Sequence, residues 1–330
     1  MEHAMPILAA LVLAVALLVA GCGPAPGPAT GTTRSVDHEF GRTEVPSAPA
    51  RVVALDEAAA MSVLAVGIRP AAVYTTWGSE VAGAVLAAQR VRVVRVPVGD
   101  PPPTETVLAL RPDLVVFTSV GVRTTFDRFA PVAPTVPLPS TTRPWQDTLT
   151  ELGTVFERSD RAARVRAAIE ARVADVRASA GGRAPTVTTL LSYSGTLATS
   201  TPASPSGLVA AAAGLRPTPV PPGGTTPPGA PYAVLSPELV GAVDADLVVV
   251  FGGGVYDAAA VTGLDTVRRL PAVRSGRTGV VLGEAWFATD PFSIWWTATD
   301  LAALLGGDPR GVGTAADGPT RFTDFERDIA

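Results

Sequence analysis

Apolar residues along the first half of the chain come in short unbroken runs. They fall at Arg51-Val52-Val53-Ala54-Leu55, Pro70–Tyr74, Val91–Val98, Leu114–Thr118 and Thr135–Leu138. Between them lie stretches of helical character, such as the alanine-rich Asp56–Val66, ended by Gly67, and Ser79–Gln89. Strands that are apolar throughout, without alternation, mark parallel strands covered by helices on both faces. The pattern predicts repeated β-α-β units and an open α/β sheet.

A different period follows. Asp160 to Ala180 is free of proline and glycine, and Val165, Ile169, Val173 and Val176 fall at helical spacing among arginines and acids. At 1.5 Å per residue this predicted helix runs about 30 Å, a domain's width, and suits a strut between two lobes. The second lobe begins at Ala184 with a strand at Thr186–Leu191. A helix near Gly207–Ala213, a proline-rich loop Arg216–Pro231 and a strand at Thr278–Leu282 follow. A last helix starts with Asp290 as N-cap and Pro291 as its first residue, and it stops at Gly306-Gly307. The organisation expected is 1–21 leader, 22–34 tether, 35–157 first lobe, 158–182 connecting helix, 183–307 second lobe, and 308–330 a loose tail.

The two lobes carry an internal repeat. Residues 104–117, TETVLALRPDLVVF, align without a gap to residues 237–250, PELVGAVDADLVVV, with seven identities in fourteen positions. Each copy reads as a short helix with Glu105 or Glu238 in its first turn, then a turn at Asp113 or Asp246, then a buried strand. Two lobes of related construction account for this.

Composition narrows the chemistry. Of 330 residues 47% are hydrophobic and 17% charged, with mean hydropathy +0.31 and a formal net charge of -4. All 26 basic residues are arginine, and there is no lysine or asparagine. Schiff-base, Walker-type and Ser-Lys chemistries are thereby excluded. Nucleic acid is disfavoured, because phosphate neutralisation needs clustered basic residues. The only histidines, His3 and His38, lie in the first forty residues, so no histidine is expected in the folded body and neither a zinc cage nor a Ser-His-Asp triad is expected. Ile7–Ala20 is a fourteen-residue apolar run, too short for a stable span but suited to a signal-peptide core. Gly23–Thr33, GPAPGPATGTT, cannot pack and reads as an extended tether.

Leu18-Val19-Ala20-Gly21-Cys22, ending in the only cysteine, resembles a bacterial lipoprotein signal, in which that thiol is lipidated. Together with the tether, two α/β lobes, one long helix and the repeated E-x-φ-x-A-φ-x-x-D-L-φ-φ segment (φ, an apolar residue), the chain resembles the solute-binding proteins of iron-siderophore and vitamin B12 ABC importers. The resemblance covers roughly residues 35–306. Leu110-Arg111-Pro112-Asp113-Leu114-Val115-Val116, Ala133-Pro134-Thr135-Val136 and Leu270-Pro271-Ala272-Val273-Arg274-Ser275-Gly276-Arg277 support it. It implies a monomer anchored outside the cytoplasm by lipid at Cys22, with the ligand in the cleft between lobes. It also implies that Glu105 and Glu238 each face permease arginines, and a carboxylate at a helix N-terminus stays ionised and suits that role. Cofactors and protein-bound metal are not expected, since any iron would be held by its chelator.

Ligands of open α/β sheets bind beyond the C-terminal ends of the strands. Loops at those positions offer Tyr74, Trp77, Arg123, Arg143, Trp145, Tyr193, Tyr256, Trp286 and Phe287 as candidate cleft residues. Aromatic planes and arginines suit a bulky chelate with oxygen-rich ligands. Heme, with Tyr74 or Tyr193 as axial ligand, and corrinoid are the alternative cargoes. The competing classes are a carboxylate-dependent secreted hydrolase and a non-transport envelope lipoprotein. A G-x-S-x-G elbow, a histidine base and an evident acid pair are all missing.

Overall fold

The computed structural model describes residues 32–75, 78–97, 101–118, 122–138 and 144–330. Its first element is a two-stranded sheet of β1 (Thr33–His38) and β2 (Gly41–Pro46), so the expected tether of 22–34 is shortened by Thr33 and Arg34, which pair in β1. Val36 and Val45 are its buried residues. The Thr43 hydroxyl donates to the Thr135 carbonyl at 2.9 Å, and the Arg34 guanidinium donates to the Val155 carbonyl, so the sheet is tied to the first lobe. His38 therefore belongs to the folded body, against the expectation that the body has no histidine. Its Nε2 lies 2.9 Å from Thr43 Oγ1, and its ring packs 5.1 Å from that of Phe126. Burial lowers its pKa. One apolar residue per strand left no pattern from which to expect this sheet.

The first lobe runs β3 (Val52–Ala54), α1 (Glu57–Ala65), β4 (Ala72–Thr75), α2 (Glu80–Ala88), β5 (Arg92–Arg95), α3 (Thr104–Leu108), β6 (Leu114–Phe117), α4 (Val122–Phe129) and β7 (Thr135–Pro137). The five strands β3 to β7 are all parallel, in the order β5-β4-β3-β6-β7. Every residue of β3, β4, β6 and β7 is buried, as the unbroken apolar runs require. At the edge, β5 exposes Arg92 and Arg95, which discourages pairing with a further strand. Strand order reverses between β3 and β6, and a crevice opens beyond their C-terminal ends.

Helix α5 (Trp145–Val155) leads into α6 (Ser159–Ser179), at 21 residues the longest in the described chain. Ala162, Val165, Ala168, Ile169, Val173 and Val176 form its buried stripe. The second lobe runs β8 (Thr186–Tyr193), β9 (Thr196–Ser200), α7 (Pro205–Ala212), β10 (Arg216–Pro217), β11 (Tyr232–Val234), a 3-10 turn (Pro237–Val243), β12 (Leu247–Gly252), α8 (Ala258–Thr262), α9 (Asp265–Arg268), α10 (Pro271–Arg274), β13 (Thr278–Leu282), α11 (Gly283–Phe287) and α12 (Pro291–Leu305). Its core strands β8, β12 and β13 are parallel, while β9 and β11 add antiparallel strands at one side. The β8–β9 reversal is made by Ser194 and Gly195, both at positive φ (49° and 77°). That is the pairing a two-residue hairpin turn demands. The fold is thus two α/β lobes joined by one long helix, with α12 of the second lobe lying along α6 and reaching α1.

The repeat has a structural counterpart in each lobe. Asp113, at the turn before β6, accepts the backbone N–H groups of Ala50 and Arg51 at 2.7 and 2.8 Å, just ahead of β3. Asp246, at the turn before β12, accepts the N–H and hydroxyl of Thr186, the first residue of β8, at 2.7 and 2.9 Å. In both lobes the repeated aspartate registers the neighbouring first strand.

The tail is not loose. Helix α13 (Gly318–Ile329) buries Phe322, Phe325 and Ile329 and packs against α2 and α6. Those residues fall at i, i+3 and i+7, an amphipathic stripe short enough to pass for noise. Phe292 of α12 meets Phe322 at 5.2 Å and Phe325 at 5.6 Å between ring centres. Charge fixes the docking: Arg161 of α6 binds both oxygens of Glu326 at 2.7 and 2.8 Å, and Arg172 pairs with Asp328 at 2.6 Å. Arg321 reaches the fully buried Asp300 of α12 at 2.6 Å. Among the described residues no helix is long and apolar enough to cross a membrane.

Candidate functional site

A cavity of about 500 Å³ lies between the lobes. The first lobe supplies the start of α1 (Asp56, Glu57, Met61), Thr118 after β6, and the start of α2 (Ser79, Val81, Ala82). From the second lobe come Leu191 and Tyr193 of β8, Tyr232 of β11, Val255 and Tyr256, Glu284 and Phe287 of α11, and Asp290, Phe292 and Ser293 at the start of α12. These are the C-terminal strand ends and the helix starts that follow them, where open sheets hold ligands.

One wall is aromatic. Tyr232 and Tyr256 each stand 6.3 Å from Phe287, and Tyr256 packs edge-on at 5.5 Å against Phe251 beneath. Gly283 permits this packing, since a Cβ there would sit 2.5 Å from the Tyr256 ring. Tyr193 is 39% exposed, and its backbone forms an antiparallel β-bridge with that of Tyr256. Burial pushes the Tyr256 hydroxyl upward in pKa, with Glu284 adding to the shift, so it remains a neutral donor.

The other feature is a set of carboxylates at helix starts. Asp56 caps α1 through the Ala59 N–H at 2.8 Å and also binds the Thr118 N–H and hydroxyl at 2.6 and 2.7 Å, joining β3 to β6 at the switch point. Glu57 accepts the N–H groups of Gly78 and Ser79 at 2.7 and 3.4 Å, just before α2. Glu284 of the second lobe crosses the cleft and accepts the Glu80 and Val81 N–H groups at 2.9 Å each, at the first turn of α2. Asp290 caps α12 through the Ser293 N–H at 3.0 Å and hydroxyl at 2.7 Å. Burial raises the pKa of Asp56, Glu284 and Asp290 against the pull of these bonds, Asp290 to about 6. Among the described residues no group of three or more His, Cys, Asp or Glu is placed to hold a metal ion.

Of the residues singled out in the sequence, Tyr193, Tyr256 and Phe287 meet at this cavity. Tyr74 does not: it is buried beside Phe117 and Phe129 in the core, and its hydroxyl is spent on Thr106 Oγ1 at 3.0 Å. Arg123 lies on the exposed face of α4, paired with Asp127 and stacked 5.4 Å over Phe40. Trp145 is buried in the main core, and Trp286 is buried with its indole N–H on Asp300 at 2.9 Å. Each of these is displaced from the cleft because burial of a large apolar surface, or an i,i+4 ion pair, is satisfied within its own lobe. Trp77, Arg143 and Cys22 lie outside the described residues. Glu105 and Glu238 are exposed, in the first turns of α3 and of the 3-10 turn, and a bond from Ser236 holds the Glu238 carboxyl below its usual pKa. Tyr232 was not anticipated, because it stands next to a proline-rich loop that masks any strand pattern.

The chain belongs to the periplasmic binding protein family, whose model matches residues 52–280. A curated relative, a probable siderophore-binding lipoprotein of Bacillus subtilis, is 29% identical over 150 residues, or 45% of this chain and 46% of that protein. The match thus spans about half the length of that relative. Among solved structures, the petrobactin-binding protein YclQ of Bacillus subtilis superposes with a TM-score of 0.71 at 19% identity, covering 83% of this chain and 99% of that one. Staphylococcus aureus SirA, complexed with staphyloferrin B, gives 0.68 at 22% identity, covering 83% and 98%. A periplasmic solute-binding protein of Mycobacterium smegmatis gives 0.68 at 23% identity over 84% and 99%. At these identities the likeness establishes the fold.

Proposed function

We propose that this protein is the extracytoplasmic substrate-binding lipoprotein of an ABC importer, and that it captures a ferric siderophore between its lobes. The observation that carries the reading is the cavity of about 500 Å³, with Tyr193, Tyr232, Tyr256 and Phe287 on one wall. Its size falls within the range of small-molecule sites, and rings with polar tips suit an organic shell studded with oxygen. The related siderophore-binding lipoprotein and the siderophore-binding structural neighbours support the cargo class. No step of bond making is required of the protein, so it acts as a carrier and not as an enzyme. Cys22, lipidated, would tether the body through residues 23–32.

Delivery would use the exposed Glu105 and Glu238, one in each lobe. Replacing both with arginine is expected to abolish uptake in cells while leaving folding and chelate binding intact. Undiminished uptake by that double variant would remove the docking role. Calorimetric titration with a panel of ferric chelates tests the cargo: at least one is expected to bind with one-to-one stoichiometry, and failure of every ferric chelate would overturn the reading.

A further inference from the structure

Four carboxylates border the cavity, at Asp56, Glu57, Glu284 and Asp290, and among the described lining residues none is arginine or histidine. Helix starts that face a cleft ordinarily attract anions through free N–H groups and the positive end of the helix dipole. Here three of those places are taken. Asp56 occupies the start of α1, Glu284 the start of α2, with Glu57 on the residues just before it, and Asp290 the start of α12. Arg123, a candidate anion partner in the sequence, is committed to Asp127 on an exposed face. An anionic guest would meet no guanidinium among these residues and no open N-terminus at α1, α2 or α12, leaving only the uncapped start of the five-residue α11, and it would face the carboxylate side chains across the cleft.

We infer that the cavity selects a ferric chelate of neutral or positive overall charge, of the tris-hydroxamate class, over multiply anionic catecholate or hydroxycarboxylate chelates. This rests on the proposed siderophore-binding role of the same site. Ferric iron wrapped by hydroxamates is neutral overall, and cationic where the chelator keeps a free ammonium. Wrapped by catecholates it stays multiply anionic. The hydroxyls of Tyr193, Tyr232 and Tyr256 would donate to hydroxamate oxygens without adding charge, and Met61 and Phe287 would cover the aliphatic linkers.

The test is calorimetric titration of the full mature protein with ferrioxamine B, which is cationic, ferrichrome, which is neutral, and ferric enterobactin, which is trianionic. The two hydroxamates are expected to bind at least tenfold more tightly than ferric enterobactin. Equal or tighter binding of ferric enterobactin would overturn the inference while leaving the siderophore role in place; silence toward every chelate would instead remove that role. Asp290→Asn supplies a second reading, since asparagine also caps helices. In that variant the ratio of ferrioxamine B to ferric enterobactin affinity is expected to fall severalfold, and an unchanged ratio would contradict an electrostatic origin. Because both affinities come from one variant, a general loss of binding cancels.

Discussion

Asp290 is fully buried, and it caps α12 while also facing the cavity. Its pKa, raised from 3.8 to about 6, means that ionised Asp290 is held at a cost in the folded state. A carboxyl with a raised folded pKa contributes stability below its unfolded value and loses that contribution as pH rises through about 6. Asp290→Asn keeps the cap and removes the titration. Urea denaturation is expected to show the variant matching the parent near pH 4 and exceeding it near pH 7 by on the order of 3 kcal/mol. A constant difference across that interval would contradict the assignment. Glu284 makes a second prediction. Its removal in Glu284→Ala deprives the Glu80 and Val81 N–H groups of their acceptors, a capping loss of about 1 kcal/mol. Amide exchange at those two positions is expected to quicken roughly fivefold, and unchanged exchange would show that the bonds across the cleft do not persist in solution. The sequence made some of these residues visible. Asp290 followed by proline is a legible helix start, whereas the acceptance of α2 N–H groups by a residue 203 positions away leaves no local trace.

Strands were the most readable elements, because burial on both faces forces an unbroken apolar run at Val52–Ala54 or Leu114–Phe117. The helix Ser159–Ser179 was equally plain, since its stripe recurs over 21 residues. Elements with few apolar positions were not. The β1–β2 sheet offers one buried valine per strand, and α13 offers three residues over twelve. That helix is nevertheless held firmly, through the Asp300–Arg321 pair with side-chain exposures of 0% and 13%. Arg321 also donates to the Gly311 carbonyl and lies 4.3 Å over the Trp296 ring. Breaking a buried pair from one side strands the other charge, at about 3–5 kcal/mol. Arg321→Leu is therefore expected to lower unfolding stability by that order, measured by guanidinium denaturation near pH 7. A loss under about 1 kcal/mol, as for a surface pair, would mean that the C-terminal helix is not anchored there. The tryptophans illustrate a different limit: Trp145 and Trp286 follow cleft-side loops in sequence, yet their rings turn inward because an indole buried in its own lobe gains area and, for Trp286, a partner in Asp300.

At the scale of the whole molecule, the lobes meet through α12 lying on α6 and α1, and through the reach of Glu284 to α2. A stiff connecting helix and a capped interface favour small adjustments of the cleft over wide hinge closure, which suits capture of a preassembled rigid chelate. The cavity's position beyond the strand ends follows from the topology alone, while its carboxylate lining depends on side chains brought together from segments more than two hundred residues apart. On the proposed role, iron inside its chelator rests in this gap, and crystals grown with ferrichrome and measured at the iron absorption edge locate it. An anomalous peak between the Tyr193, Tyr256 and Phe287 wall and the Asp56 and Ala82 wall is predicted; a peak elsewhere on the protein, or a chelate bound with this cavity empty, would contradict the account.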